Sequence, residues 1–181
     1  WQRTLPAEVS GCAALLVQHP SLWSFRESVS LSNVAQALAR GIQKSGVDVI
    51  DIGLCGTEEI YFATPHLNAD GGIMVTASHN PNGWTGVKMG IEAPLTFGPD
   101  EMSRLKEIVL EGQSNPRAGG SYKYVDGVRE AFIADLIKDI KLKNKIKVVA
   151  ACGNGTAGAF AEEVLTAIGA DVVAVVDAVV V

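Results

Sequence analysis

The sequence predicts an α/β fold on three observations. Strand-length apolar runs recur along the chain, amphipathic stretches of helical period alternate with them, and Gly or Asn-Pro stands where one gives way to the next. Residues 1–27 show no sustained period beyond Ala13-Ala14-Leu15-Leu16-Val17, which reads as a buried strand. From Asn33 the pattern sharpens. Val34, Ala37, Leu38, Gly41, Ile42 and Ser45 fall at helical spacing, with Asn33 and Gln36 as a capping pair and Gly46 as the stop. Val47 to Ile52 reads as a strand, Gly53 to Gly56 as a loop, and Thr57 to Leu67 as a helix whose end Pro65 marks. The run to Ala77 is the next strand and Gly86 to Met89 a short one. Pro99 to Glu111 is a helix with Met102, Leu105, Ile108 and Val109 on one face.

Gly112 to Ser121, rich in Gly, Ser, Asn and Pro, reads as a linker. This divides the chain into residues 1–115 and a second unit at 116–181. In the second, Val125, Val128, Phe132, Leu136 and Ile140 form a helical stripe. Lys145 to Ala151 is a strand, 152–158 a glycine-rich turn, a helix carries Phe160, Val164, Leu165 and Ile168, and Val172 to Val176 is a further strand. A parallel sheet needs both faces covered, so this second unit of about 60 residues is expected to be incomplete.

Composition narrows the function. With 181 residues, 48% hydrophobic and 19% charged, the chain suffices for one good core and part of another. A net charge of −5, with no dense cluster among its 15 Lys and Arg, excludes a nucleic-acid binder. Cys12, Cys55 and Cys152 are an odd, widely spaced set that forms neither a disulfide framework nor a metal knuckle, which points to a reducing, cytoplasmic setting. No stretch reaches the roughly 18 apolar residues of a membrane span. The chain starts with Trp1 and ends in Val179-Val180-Val181, as expected of a fragment.

The chemistry centres on Gly71-Gly72-Ile73-Met74-Val75-Thr76-Ala77-Ser78-His79-Asn80-Pro81. Its first half is a buried strand and its second half is small, polar and closed by Asn-Pro, so Ser78 and His79 stand where a strand stops. In open α/β sheets, ligands bind at the carboxyl ends of the strands. Seven residues after Pro81 comes Lys88, and a turn that brought its ammonium back beside Ser78 would assemble a nucleophile, a proton carrier and a fixed cation. The plainer alternatives are a serine that caps a turn, a solvated histidine and a water-facing lysine. Trp84 offers an apolar ring face for a sugar. Glu58-Glu59 reads as the first turn of a helix, where carboxylates favour the positive end of the dipole.

Thr76-Ala77-Ser78-His79-Asn80-Pro81 followed by Gly86-x-Lys88 resembles the active-site loop of the α-D-phosphohexomutases, the phosphomannomutase and phosphoglucomutase family. The likeness extends through 46–53, 56–64 and 70–73 and covers about residues 28–175. It implies a three-layer α/β/α domain with a mostly parallel mixed sheet, then the start of a second α/β domain. It also implies interconversion of hexose 1-phosphate and 6-phosphate (mannose or glucose) through a bisphosphorylated intermediate. By resemblance, Ser78 is the phosphoserine and ligates Mg²⁺ through its phosphate, and His79 and Lys88 assist the transfer; Asn80, which Pro81 holds extended to fix the loop's shape, and Trp84 and Thr85, which follow it, are the expected substrate-binding residues. The remaining domains of a full-length enzyme are the implied partners, with no nucleic acid and no membrane.

Three departures accompany the likeness. The family's early Asp-x-Arg-Gly sequence is absent, a Trp84-Thr85 pair replaces the usual Tyr-Asn, and no alternating aspartate run for Mg²⁺ occurs. The chain alone is therefore expected to be inactive. Gly153-x-Gly155-x-x-Gly158, with Asp177 some twenty residues on, also matches a dinucleotide fingerprint, so a nicotinamide-dependent oxidoreductase stands as the alternative beside close helix–strand packing. A non-catalytic phosphosugar-binding remnant is the third reading.

Overall fold

The computed structural model describes residues 13–18, 25–78, 80, 84–91, 96–153 and 155–177. Five strands form one sheet: β1 (Ala13–Gln18), β2 (Asp48–Leu54), β3 (Gly71–Thr76), β4 (Gly86–Ile91) and β5 (Tyr122–Tyr124), in the order β4-β3-β1-β2-β5. β1 pairs parallel with β2 and β3, β2 pairs parallel with β5, and β4 closes the far edge antiparallel to β3. The sheet is mixed and mostly parallel, as expected. β1 lies at its centre, between β3 and β2.

Helices α1 (Phe25–Lys44) and α2 (Thr57–His66) cover opposite faces. Ala35 and Ala39 of α1 pack on Val49 and Val75, while Ile60 and Ala63 of α2 pack on Ile52, Cys55 and Met74. The neighbours Met74 and Val75, both 0% exposed, thus serve one core each, because successive side chains of a strand point to opposite faces. Gly72 lets α2 come close: a Cβ there would lie 2.9 Å from Thr64 Oγ1 and 3.1 Å from Ile60 Cδ1.

Several boundaries differ from the sequence reading. α1 begins at Phe25, so Asn33 and Gln36 lie inside it and are no capping pair. No Gly or Pro interrupts 25–40, and nothing in the backbone delays the start. Gly46, at φ 79°, is the stop that was expected. Pro65 falls within the last turn of α2. β5 was not foreseen. It is three residues long and exposed on both faces, so it has no periodic signature. Side-chain bonds secure it: Asp48 Oδ1 accepts the Ser121 amide (2.8 Å) and hydroxyl (2.7 Å), and Asp51 Oδ2 accepts the Tyr122 hydroxyl (2.6 Å). In α3 (Pro99–Leu110) the expected apolar face exists, yet Met102 and Val109 are exposed and no residue of the helix is buried.

The second unit holds α4 (Val128–Ile137), β6 (Lys147–Gly153), a 3-10 turn Thr156–Ala159, α5 (Ala161–Ala167) and β7 (Asp171–Asp177), with β6 and β7 parallel. Of the stripe predicted on α4, Val128 and Phe132 are buried, joined by Ile133, whereas Leu136 and Ile140 are exposed. The helix begins only at Val128 and leans on α2, so its buried side follows that neighbour. Phe132 lies 5.6 Å from Phe62 and meets Phe160 edge-on at 6.1 Å.

Candidate active site

The carboxyl ends of β1, β2 and β3 share one edge of the sheet, with Gln18 opposite both Leu54 and Val75. α1 and α2 leave for opposite faces, which opens a crevice at strand ends of the kind where α/β sheets bind ligands. The β3 exit is sharply turned. Thr76 is buried, and its Oγ1 accepts the Ser78 amide at 2.9 Å. Ser78 itself has φ 55°, a left-handed backbone that few residues other than glycine adopt. The Asn80 amide then donates to Ala77 O at 3.1 Å, and Ser78 and Asn80 are both exposed. Thus the serine rides on a turn fixed by its own neighbours, with its side chain at the surface of the sheet's ligand-binding edge. His79 lies outside the described residues.

The chain returns as β4, with Gly86 opposite Thr76 and Lys88 opposite Met74. Trp84, 66% exposed, and Thr85 stand just before it at the same edge. β4 thus carries Lys88 back along β3, and its amine has a partner on α2. Lys88 Nζ donates at 3.5 Å to Thr57 Oγ1, the first residue of α2, and that hydroxyl donates in turn to Met74 Sδ at 3.3 Å. At most about 13 Å of chain separates Met74 from Ser78. The crevice beside Lys88, between Ile60, Tyr61, Met74 and Met89, has a volume of about 20 Å³, enough for a water and too small for a hexose.

Next to this, the β2 exit carries groups that the sequence did not single out. Glu59 is 1% exposed, and its carboxylate accepts the Gly56 amide, closing the N-terminus of α2. Arg129 of α4 donates through Nε to Glu59 Oε1 at 3.3 Å and through Nη2 to Leu54 O at 2.9 Å. Glu59 was legible as a helix first turn; its long-range partner, seventy positions away, had no local signal. Burial and then the neighbouring Glu59 carboxylate push the Cys55 thiol well above its ordinary range, so it is no nucleophile. A groove of about 600 Å³ runs from here past Tyr122, Tyr124 and Asp126.

Among the described residues, no group of three or more His, Cys, Asp or Glu side chains comes together to hold a metal. The described residues therefore do not by themselves fit a Mg²⁺ site. At the glycine turn, two of the amides a pyrophosphate would need are already engaged: Gly155 N donates to Cys152 O (2.9 Å) and Gly158 N to Gly155 O (3.2 Å). Gly158 lies within the 3-10 turn, and Ala159 and Phe160 separate it from a helix of seven residues. A Cβ on Gly155 would lie 2.9 Å from Cys152 O, so close packing explains that glycine.

Fold and edge together define a doubly wound α/β domain whose candidate ligand site lies at the exits of parallel strands. Residues 29–116 match the family described as phosphoglucomutase/phosphomannomutase, alpha/beta/alpha domain I. A phosphomannomutase of Salmonella montevideo is 44% identical over 145 residues, 75% of this chain and 32% of that protein. One from Escherichia coli K12 is 44% identical over 128 residues, 67% of this chain and 28% of its own length. A crystal structure of a phosphoglucomutase/phosphomannomutase family protein from Burkholderia thailandensis superposes with a TM-score of 0.73 at 31% identity, over 91% of this chain and 36% of that one. The chain belongs to the α-D-phosphohexomutase family, and it spans about a third of the length of the relatives it matches.

Proposed function

We propose that the chain is part of a phosphohexomutase, most like a phosphomannomutase, that moves a phosphoryl group between O1 and O6 of mannose or glucose phosphate. What carries this reading is the exposed Ser78 on its left-handed turn at the β3 exit, within the segment matched to the family. In the forward step the bond from phosphorus to Ser78 Oγ breaks as a sugar hydroxyl oxygen forms its own, and the hydroxyl proton passes to the imidazole of His79, the next residue in the chain, while Lys88 stays a cation. In the return step the other phosphate of the bisphosphorylated sugar goes back to Ser78. Such transfers depend on alignment and on cations that balance the moving charge. Lys88 is the described cation nearest in the hairpin, and Asn80, Trp84 and Thr85 line the same edge. Mg²⁺, if bound, would be held by the phosphate on Ser78 and would balance part of its charge.

The boundary near residue 115 belongs to the same proposal, with a second domain beginning at 116 even though β5 pairs back with β2. So do a cytoplasmic setting, further domains that supply the rest of the site, and the lack of full mutase turnover by the chain alone, which leaves phosphoryl transfer from a bisphosphate to Ser78 as the half-reaction to test. No helix among the described residues is long and apolar enough to cross a membrane. The test is to incubate the chain with glucose 1,6-bisphosphate and map any phosphate adduct by peptide mass spectrometry. Labelling at Ser78 that Ser78→Ala abolishes supports the reading. Labelling elsewhere sinks it, and no labelling leaves a phosphosugar-binding remnant as the better account.

A further inference from the structure

A buried carboxylate demands an account, because ionised groups are almost never fully buried unless paired. Glu59 is such a group, 1% exposed at the edge that carries Ser78, and its partners come from two parts of the chain. Its own turn supplies the Gly56 amide. The second unit supplies Arg129, which also grips Leu54 O at the end of β2. The two grips bracket the segment 54–59, in which Thr57 accepts the Lys88 ammonium.

We propose that Arg129 is a positioning residue: it locks the turn between β2 and α2, sets the place of Thr57, and through Thr57 sets the place of the Lys88 amine. Placement of the α4 unit against the first sheet is thereby coupled to the cation of the candidate site. This rests on Lys88 being part of that site, but the lock itself is read without reference to catalysis. Arginine suits the task and lysine does not, because only a planar fork reaches a carboxylate and a carbonyl at once. Removing the guanidinium leaves Glu59 as a buried charge without its counter-charge, which loosens the turn. Replacing Glu59 by glutamine in the same chain removes that charge while keeping an acceptor for Gly56.

Two measurements on the whole chain without substrate test this: amide hydrogen exchange at Gly56 and Thr57, and the rate at which Lys88 is acylated by limiting acetic anhydride, relative to exposed Lys106 on α3. Arg129→Met is expected to speed exchange about tenfold and to change the Lys88-to-Lys106 labelling ratio severalfold, with the Lys106 rate unchanged. Adding Glu59→Gln should bring both back toward the parent values. Should Arg129→Met fold poorly, Arg129→Lys carries the same test with smaller shifts in the same direction. An unchanged labelling ratio, or a double variant worse than the single one, overturns the proposal; a lower melting temperature with native Lys88 labelling means that Arg129 only packs. If the ratio moves while Lys88→Ala leaves Ser78 phosphorylation intact, the lock stands and the assignment of Lys88 to the site fails.

Discussion

The five-stranded sheet and the β6–β7 pair both contain apolar strands that end up differently placed. In the first, Val49, Met74 and Val75 are at most 1% exposed, each under a helix. In the second, Val149 and Val173 are each 61% exposed. Strand composition therefore does not decide burial; the helices laid over each strand do. Among the described residues, nine of the thirteen buried apolar side chains sit in the first unit, and the second leans on it through Phe132 against Phe62.

The largest expected effect that bears on this contrast is Met74→Ala. It empties a fully covered site and should cost about 2–5 kcal/mol in denaturant unfolding. A cost under about 1 kcal/mol would erase the distinction between the units. Next comes Phe160→Ala, expected to lower stability by about 1–2 kcal/mol and to raise hydrogen exchange in β6 and β7 more than in β2 and β3. Uniform loosening of both sheets would show that they unfold as one.

Smaller still is the rim of the first sheet. The hydrogen bond to Asp51, then burial, pushes the Tyr122 hydroxyl up to about 12 from its ordinary 10. A phenol raised in this way favours the fold while it keeps its proton. Its contribution is whole below pH 10 and disappears as pH rises through about 12. Tyr122→Phe should cost about 1 kcal/mol or less at neutral pH, the residue being half exposed, and should flatten the alkaline fall in melting temperature. The smallest effect is Val173→Thr, which should stay within about 0.5 kcal/mol because the site is open. A larger loss would mean that something covers β7 in solution.

Much of this was readable residue by residue. The β3 exit was legible because an apolar run closed by Asn-Pro has only one way to end, and Ser78 is found there. The direction of Lys88 was legible and its target was not. The pairing of Gly86 with Thr76 sets Lys88 opposite Met74, on the face where α2 begins, and that register belongs to the hairpin rather than to any one residue. Arg129 with Glu59 and Tyr122 with Asp51 were hidden for the same reason: each pair spans about seventy positions, beyond any local period. α3 failed in the opposite way. Its amphipathic spacing is real, but spacing shows only which residues share a side, not that anything is laid against them.

The torsion at Ser78 has a consequence for engineering. At φ 55° a glycine would rest without the steric penalty that a β-carbon incurs, of order 1 kcal/mol. Ser78→Gly is thus expected to give a hardier protein that has lost the oxygen the loop displays. A screen that rewards heat tolerance alone would drift toward that substitution, so any effort to toughen this chain should hold position 78 fixed.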